Sequence, residues 1–328
     1  MYFLLAITLI FALLLLVNLA ASLTASVVWH LISGSARRFA PGTRSQIIFL
    51  LRILPVAIAA IVVFAFLLPA YLLYEPDKSG EIVSLKLALI ALVSAAGIVT
   101  ALYRVFRTWR VTSQLAADWM RNAEPLVIDG VDIPVYSIEH PFPLIAVVGM
   151  LKPRMFVARQ IFGLLEPAEF EAAIAHERGH LTTRDNLKRT ALRVCRDLVV
   201  LPFGRRLDRD WAANAESGAD DFAAGVGGDV MAVNLAAALV KIARTVPARA
   251  YPAMSSASFL IEDTAGPITS RVKRLLDRGQ SSVRKNNGLP FGWASLLLAV
   301  ATIFVLAGNE NVLRGVHDAM EHFVGLFQ

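Results

Sequence analysis

Cysteine is nearly absent from this chain. Cys195 is the only one in 328 residues, so no disulfide can form within it, and the expected state of that thiol is buried and inert on a helix. Charge is also scarce. Charged residues make up 18% of the sequence against 56% hydrophobic ones, and a mean hydropathy of +0.58 excludes an ordinary soluble domain. There is no internal repeat and no low-complexity linker. Basic and aromatic residues are not interleaved as in proteins that grip single strands, so nucleic acid is not an expected partner. The net charge of +6 therefore reads as a topology signal in a bilayer protein.

The apolar excess lies in a few long runs. Phe3 to Val28 is too long for a signal peptide and lacks its basic leader, so it reads as a first transmembrane helix. Ile53 to Leu73, Leu87 to Tyr103 and Pro290 to Ala307 are the second, third and fourth, each near the ~20 residues a bilayer requires. Arg37, Arg38, Arg44 and Arg52 separate the first two spans, and Arg104, Arg107 and Arg110 follow the third. Arg271, Lys273, Arg274, Arg278, Arg284 and Lys285 precede the fourth, while Glu75, Asp77, Lys78 and Glu81 make the second loop net acidic. Basic segments mark the cytoplasmic side. The expected topology is multi-pass in the cell (inner) membrane, with the N-terminus outside.

The expected organisation is three transmembrane helices with short loops over 1–110, a cytoplasmic polar domain over 111–287, a fourth span over 288–308 and an external amphipathic tail over 309–328. That tail either lies on the outer leaflet or packs against the spans, and its His317 and His322 are expected to be solvated. The expected fold class is an α-helical membrane protein with an inserted α+β cytoplasmic domain.

The chemistry is concentrated in His176-Glu177-Arg178-Gly179-His180, an H-E-x-x-H pattern inside a helix-forming run. Two His at i and i+4 share one face of a helix. So placed, they can hold one Zn²⁺, with Glu177 as the base acting on water. The simpler alternative is a surface helix carrying two His by chance. The helix is expected to start near Glu166-Pro167, because Pro suits a first helical position.

A catalytic zinc takes three protein ligands and leaves a place for water. Glu216, in Asn214-Ala215-Glu216-Ser217-Gly218-Ala219-Asp220-Asp221, is the candidate third ligand on a second helix. Its alternative is a solvated surface carboxylate. Asp220, one turn on, is placed to accept the far N–H of a ligating His. Asp185 is expected to secure the end of the zinc helix rather than to touch metal. Two weaker candidates for an oxyanion donor are Arg271, in a basic run whose simpler reading is a juxtamembrane anchor, and His140, whose simpler reading is an ordinary loop His. Four β-rich runs, 126–128, 135–138, 144–148 and 155–157, predict a small sheet. The run after His140, 144–148, is the expected edge strand, and the sheet either holds an extended substrate there by strand addition or simply covers the helical core.

Ala175 to Leu181, then Arg184-Asp185-Asn186, then Glu216-x-x-x-Asp220 resemble the integral-membrane gluzincin peptidases. Pro141-Phe142-Pro143 to Gly149, Lys152-Pro153-Arg154 and Glu166-Pro167 to His180 are similar to the peptidase domain of the β-lactam-sensing antirepressor receptors. So are three spans before that domain and one after it. The heat-shock and CAAX-prenyl membrane proteases are the next relatives. In the receptor family an external penicillin-binding sensor follows the last span. Only 21 residues follow Ala307 here, so that sensor is not expected. The resemblance implies that the fold class is an α-helical membrane protein with an inserted α+β zincin-like cytoplasmic peptidase domain, with residues 111–287 as the zinc peptidase domain. It also implies that the chain is a membrane-embedded zinc metalloendopeptidase, in part regulatory, acting on cytoplasmic or membrane proteins. The alternative from another class is a non-catalytic membrane scaffold or signalling subunit with a structural metal site.

Overall fold

A computed structural model describes residues 2–75, 83–199, 204–245, 258–259, 268–277 and 301–326. Among the described residues, four helical stretches are long and apolar enough to cross a membrane: Tyr2–Ile32, Pro41–Tyr74, Leu85–Met120 and Arg205–Thr245. The first is α1 (Tyr2–Ile32). The second comprises α2 (Pro41–Ile61), a π-helical stretch Val62–Leu67 and α3 (Leu68–Tyr74). The wide turn lies immediately before Pro69, whose ring cannot continue a regular hydrogen-bond ladder. The third, α4 (Leu85–Met120), continues well past the expected span, because residues 98–123 contain neither Gly nor Pro. Ser84 caps its start by accepting from the Leu87 N–H.

Among the described residues, five short strands form one sheet: β1 (Glu124–Leu126), β2 (Val135–Ile138), β3 (Ile145–Val148), β4 (Arg154–Ala158) and β5 (Ser258–Phe259). Their order is β1-β2-β4-β3-β5. β2 and β4 run parallel, while β1–β2, β3–β4 and β3–β5 are antiparallel. Every residue of β3 is buried, in keeping with its apolar run Ile145-Ala146-Val147-Val148. The strand expected at the sheet's edge therefore has neighbours on both sides. β5 pairs Phe259 with Ala146 and Ser258 with Val147.

After β4 come α5 (Gln160–Leu164), α6 (Pro167–Thr183), α7 (Asp185–Val199) and α8 (Arg205–Thr245), then α9 (Ile268–Leu276) and α10 (Glu310–Gly325). α6 begins with Pro167 at its first turn and a reciprocal Glu166–Glu169 capping box. α8 leaves helical geometry at Gly227 and Gly228. Although α8 is apolar enough to be a span by composition, one apolar face of it is turned into the protein, while Val226, Val230 and Val233 are exposed. Ala223, Ala224, Leu235, Ala236, Leu239 and Ile242 join the core formed by the sheet and by Ala172, Ala173 and Ala175 of α6. The expected fourth span, Pro290 to Ala307, falls mostly outside the described residues, and only residues 301–307 of it are seen to be helical.

α10 packs rather than floats. Met320 and Val324 join Leu5 and Leu9 of α1, Tyr71 of α3 and Leu87 of α4 in a second core. His317 is not solvated as expected: it is only 17% exposed and lies against the Tyr74 ring at 6.0 Å, because the apolar face of α10 turns it inward. His322 is exposed.

The contact that positions the site is the crossing of α6 and α8. A Cβ on Gly179 would stand 3.0 Å from the Ala219 Cα and 3.2 Å from the Ala219 and Phe222 Cβ atoms. The missing side chain thus lets the two backbones close. Gly179→Ala should drive the helices apart, costing about 1–3 kcal/mol as overpacking usually does. The expected readout is a lowered midpoint of thermal unfolding together with weaker zinc retention.

Candidate metal centre

α6 carries His176 and His180 one turn apart, and both are buried. Their Nε2 atoms lie 3.1 Å from each other. Glu216 of α8 comes across the Gly179 crossing, with Oε2 3.6 Å from His176 Nε2 and Oε1 3.5 Å from His180 Nε2. Tetrahedral ligands at about 2.0–2.2 Å from one ion stand roughly 3.3–3.6 Å apart. The three side chains therefore suit a single Zn²⁺ with little movement. They form a group whose donor atoms all lie within 4.8 Å of one another.

The far side of each imidazole meets a carboxylate. His176 Nδ1 is 3.0 Å from Asp220 Oδ1, and His180 Nδ1 is 2.7 Å from Asp185 Oδ2. Carboxylates in these positions turn Nε2 of both rings toward the shared centre. Asp220 thus stands where its spacing from Glu216 predicted. Asp185 does more than end the helix. Arg184 adopts a left-handed conformation (φ 54°) between α6 and α7, and this sharp turn folds Asp185 back beneath His180. The Asn186 side-chain amide donates to the carbonyls of Val147 and Gly149, tying the same turn to the end of β3.

Arg271 is not a surface anchor. It is 4% exposed, with Nη1 3.0 Å from Glu216 Oε2 and Nη2 2.6 Å from Asp220 Oδ1. Arg274, one turn on in α9, reaches Asp220 at 3.2 Å and Asp221 at 2.7 Å. A guanidinium that compensates two buried acids must itself be buried, whatever the basic run around it suggests. His140 is elsewhere. Its Nδ1 sits 3.0 Å from the Phe142 carbonyl and its ring lies against Trp119, and burial lowers its pKa. It makes no described contact with the His176–His180–Glu216 group. A second group, Glu75, His317 and Glu321, also falls within 4.8 Å, but Glu321 is 45% exposed and a solvated carboxylate is common without an ion.

Electrostatics follow from burial. Glu177 is fully buried, and both carboxylate oxygens lack a hydrogen-bond partner among the described residues. Burial pushes its pKa up to about 7, which suits a group that must take and return a proton near neutrality. For His180 burial opposes protonation, but the charge of Glu216 and the contact with Asp185 outweigh it and raise the pKa well above the usual imidazole range. His176 is raised in the same way, burial being overcome by Asp220 and Glu216. Burial pushes the Cys195 thiol up to about 11, which leaves it inert as expected.

A small sheet beside a helix bearing His176-Glu177-x-x-His180, with an acid from a following helix completing the group, is the arrangement of a zincin-like metallopeptidase. Residues 135–250 match the model of peptidase family M48, a stretch that runs from β2 through α8 and includes His176, Glu177, His180, Glu216 and Asp220. No curated protein matches the chain.

Second contacts of this kind usually govern metal affinity about 10–100-fold. Asp185→Asn should weaken zinc binding by that factor while leaving one zinc per chain at saturation, as read by competition with a chelator.

Proposed function

We propose that this chain is a membrane-embedded zinc endopeptidase, hydrolysing peptide bonds of cytoplasmic or membrane proteins from a domain spanning about residues 111–287. The convergence of His176, His180 and Glu216 on one buried point carries the reading. In it these three residues hold the ion, and Glu177 is the catalytic residue. When bound, the ion supplies Lewis acidity toward a peptide carbonyl and toward water. The rest is the work of the chain. Glu177 takes the proton from attacking water and delivers it to the leaving amine. Asp220 and Asp185 hold His176 and His180 in the tautomer that presents Nε2. Arg271 keeps Glu216 and Asp220 ionised and aimed at the centre, which makes it a positioning residue rather than an oxyanion donor.

The sheet supports a peptide substrate. The antiparallel pairing of β3 with the two-residue segment Ser258–Phe259 supports an edge able to hold an extended chain, and in this reading a substrate strand takes it by displacing β5. Three apolar stretches, α1, α2–α3 and α4, support a domain held at a bilayer, and the distribution of arginines favours an N-terminus outside and a cytoplasmic peptidase domain. The resemblance to the antirepressor-receptor peptidases makes a regulatory substrate the finer reading.

A non-catalytic scaffold with a structural metal remains a distinct alternative. Structural zinc sites are closed by four protein ligands, whereas three converge here beside a buried Glu with unsatisfied oxygens. That favours the enzyme.

Replacement separates the two. Glu177→Gln should keep one zinc per chain and lose about 10²–10⁴-fold in cleavage rate, while His176→Ala should lose both zinc and cleavage. Undiminished proteolysis by the Glu177→Gln protein would remove the proposed base. Zinc bound by a wild-type protein that cleaves neither itself nor trapped partners would favour the scaffold.

A further inference from the structure

Two adjoining cavities lie where α4 leaves its apolar stretch. One, of about 740 Å³, is bounded by Arg104 of α4, Arg189, Arg193 and Arg196 of α7, and Arg205 and Arg209 of α8. The other, of about 320 Å³, shares Arg104, Arg193 and Arg196 and adds Arg107. Among the described residues the acids on these walls are Asp197 and Asp208. Arg104 and Arg196 engage Asp197, and Arg196 also reaches Asp208. Arg52 takes a further share of Asp208. Arg107, Arg205 and Arg209 pair with no acid among the described residues. Arg107, Arg205 and Arg209, beyond the arginines that share Asp197 and Asp208, leave the walls positive, so they suit an anion.

Position says which anion. Arg104 directly follows the apolar run that ends at Tyr103. Tyr103, Phe106 and Trp109, on the same helix, are 61%, 54% and 55% exposed. Amphipathic rings at that height mark the boundary between acyl chains and headgroups. Exposed Leu102 and Val99 lie just beyond on the apolar side. A free phosphate would need the arginines but not an apolar wall beside them, whereas a phospholipid needs both.

We propose that this cavity binds the phosphate headgroup of an anionic phospholipid from the leaflet on the peptidase side, with its acyl chains along the exposed face of α4. The assignment rests on reading α1, α2–α3 and α4 as spans. Arginine forks suit phosphate oxygens bidentately, and basic pockets between helices at this level are typical of acidic-lipid recognition. The pocket also communicates with the candidate active site. α7 contributes Arg189, Arg193 and Arg196 to the walls and begins with Asp185, the partner of His180. A third cavity, of about 460 Å³, shares Arg189 and Arg193 and extends to Asn186 and Gly149 at the end of β3.

The test uses the full chain in detergent. Native mass spectrometry with added phosphatidylglycerol or phosphatidylcholine should show at least tenfold preference for the anionic lipid. Arg107→Gln/Arg205→Gln/Arg209→Gln should abolish that preference, and Arg107→Gln alone, a solvated position, should reduce it several-fold without affecting folding. Arg121→Gln/Arg244→Gln, away from the cavity, should leave it intact. Equal retention of both lipids, or an unchanged preference in the triple variant, would overturn the proposal. So would competition by millimolar inorganic phosphate strong enough to erase the preference, which would make the pocket a phosphate site. Carbonate extraction of membranes keeps the two readings apart. A chain released by carbonate refutes the spans themselves, whereas a chain that stays in the membrane but shows no lipid preference refutes only the pocket.

Discussion

Four carboxylates and two imidazoles share one dry interior, and the rest of the structure answers to that constraint. Glu177, Glu216, Asp220 and Asp185 are each at most 3% exposed, as are His176 and His180. Each buried ion costs several kcal/mol in lost hydration unless a partner offsets it. The partners come from distant parts of the chain. Arg271 bridges Glu216 and Asp220, each imidazole has its own carboxylate, and a divalent ion would supply the remaining positive charge. α9 must therefore dock against α8, and α7 must turn back under α6. Removing one member would leave its neighbours uncompensated, which typically costs about 3–5 kcal/mol, so folding and chemistry are not separable here.

Glu177 is the exception that gives the cluster a direction. Every other acid in it faces a cation or an imidazole. Glu177 faces none at hydrogen-bonding distance among the described residues, and its raised pKa records that imbalance. A site built only to hold an ion would gain from partnering this group, whereas proton transfer requires it to be available.

The apolar bundle and the peptidase fold are joined by polar ties at one level. The Trp29 indole N–H donates to Asp210 at 2.7 Å, Arg52 meets Asp208 at 3.4 Å and Arg104 meets Asp197 at 2.6 Å. Thus α1, α2 and α4 each send one side chain to the segment that runs from the end of α7 into α8. Just beyond them a Cβ on Gly218 would come within 3.2 Å of the Gly42 Cα, so α8 and the start of α2 touch backbone to backbone two residues from Glu216. Charge pairs in such a half-dry boundary are stronger than on an open surface. A tilt of the apolar helices would therefore reach the helix that carries the third candidate ligand.

What could be read from the sequence follows from the range of each signal. His176, Glu177 and His180 declare themselves because helical periodicity puts i and i+4 together with no tertiary information. Glu216 and Asp220 follow from the same periodicity once an acid is sought to complete three ligands. The four β-rich runs became β1 to β4 with ends shifted by one or two residues, since turns bound them. β5 is only two residues long, too short for any period to show. Arg271 was misjudged because its partners are 51 and 55 residues away, and a basic run before an apolar one looks the same whether its guanidinium points to lipid or to a buried acid. Asp185 was half seen, because its reach to His180 depends on a left-handed Arg184, a conformation usually left to Gly or Asn. His317 shows the reverse error. Its helix is amphipathic as expected, but a residue near the edge of the apolar stripe is buried or solvated according to what packs there, and the Tyr74 ring lies 6.0 Å away. For Arg271 and His317 the missing information was a partner distant in sequence, and for Asp185 it was the backbone conformation of one residue; local spacing carries no record of either.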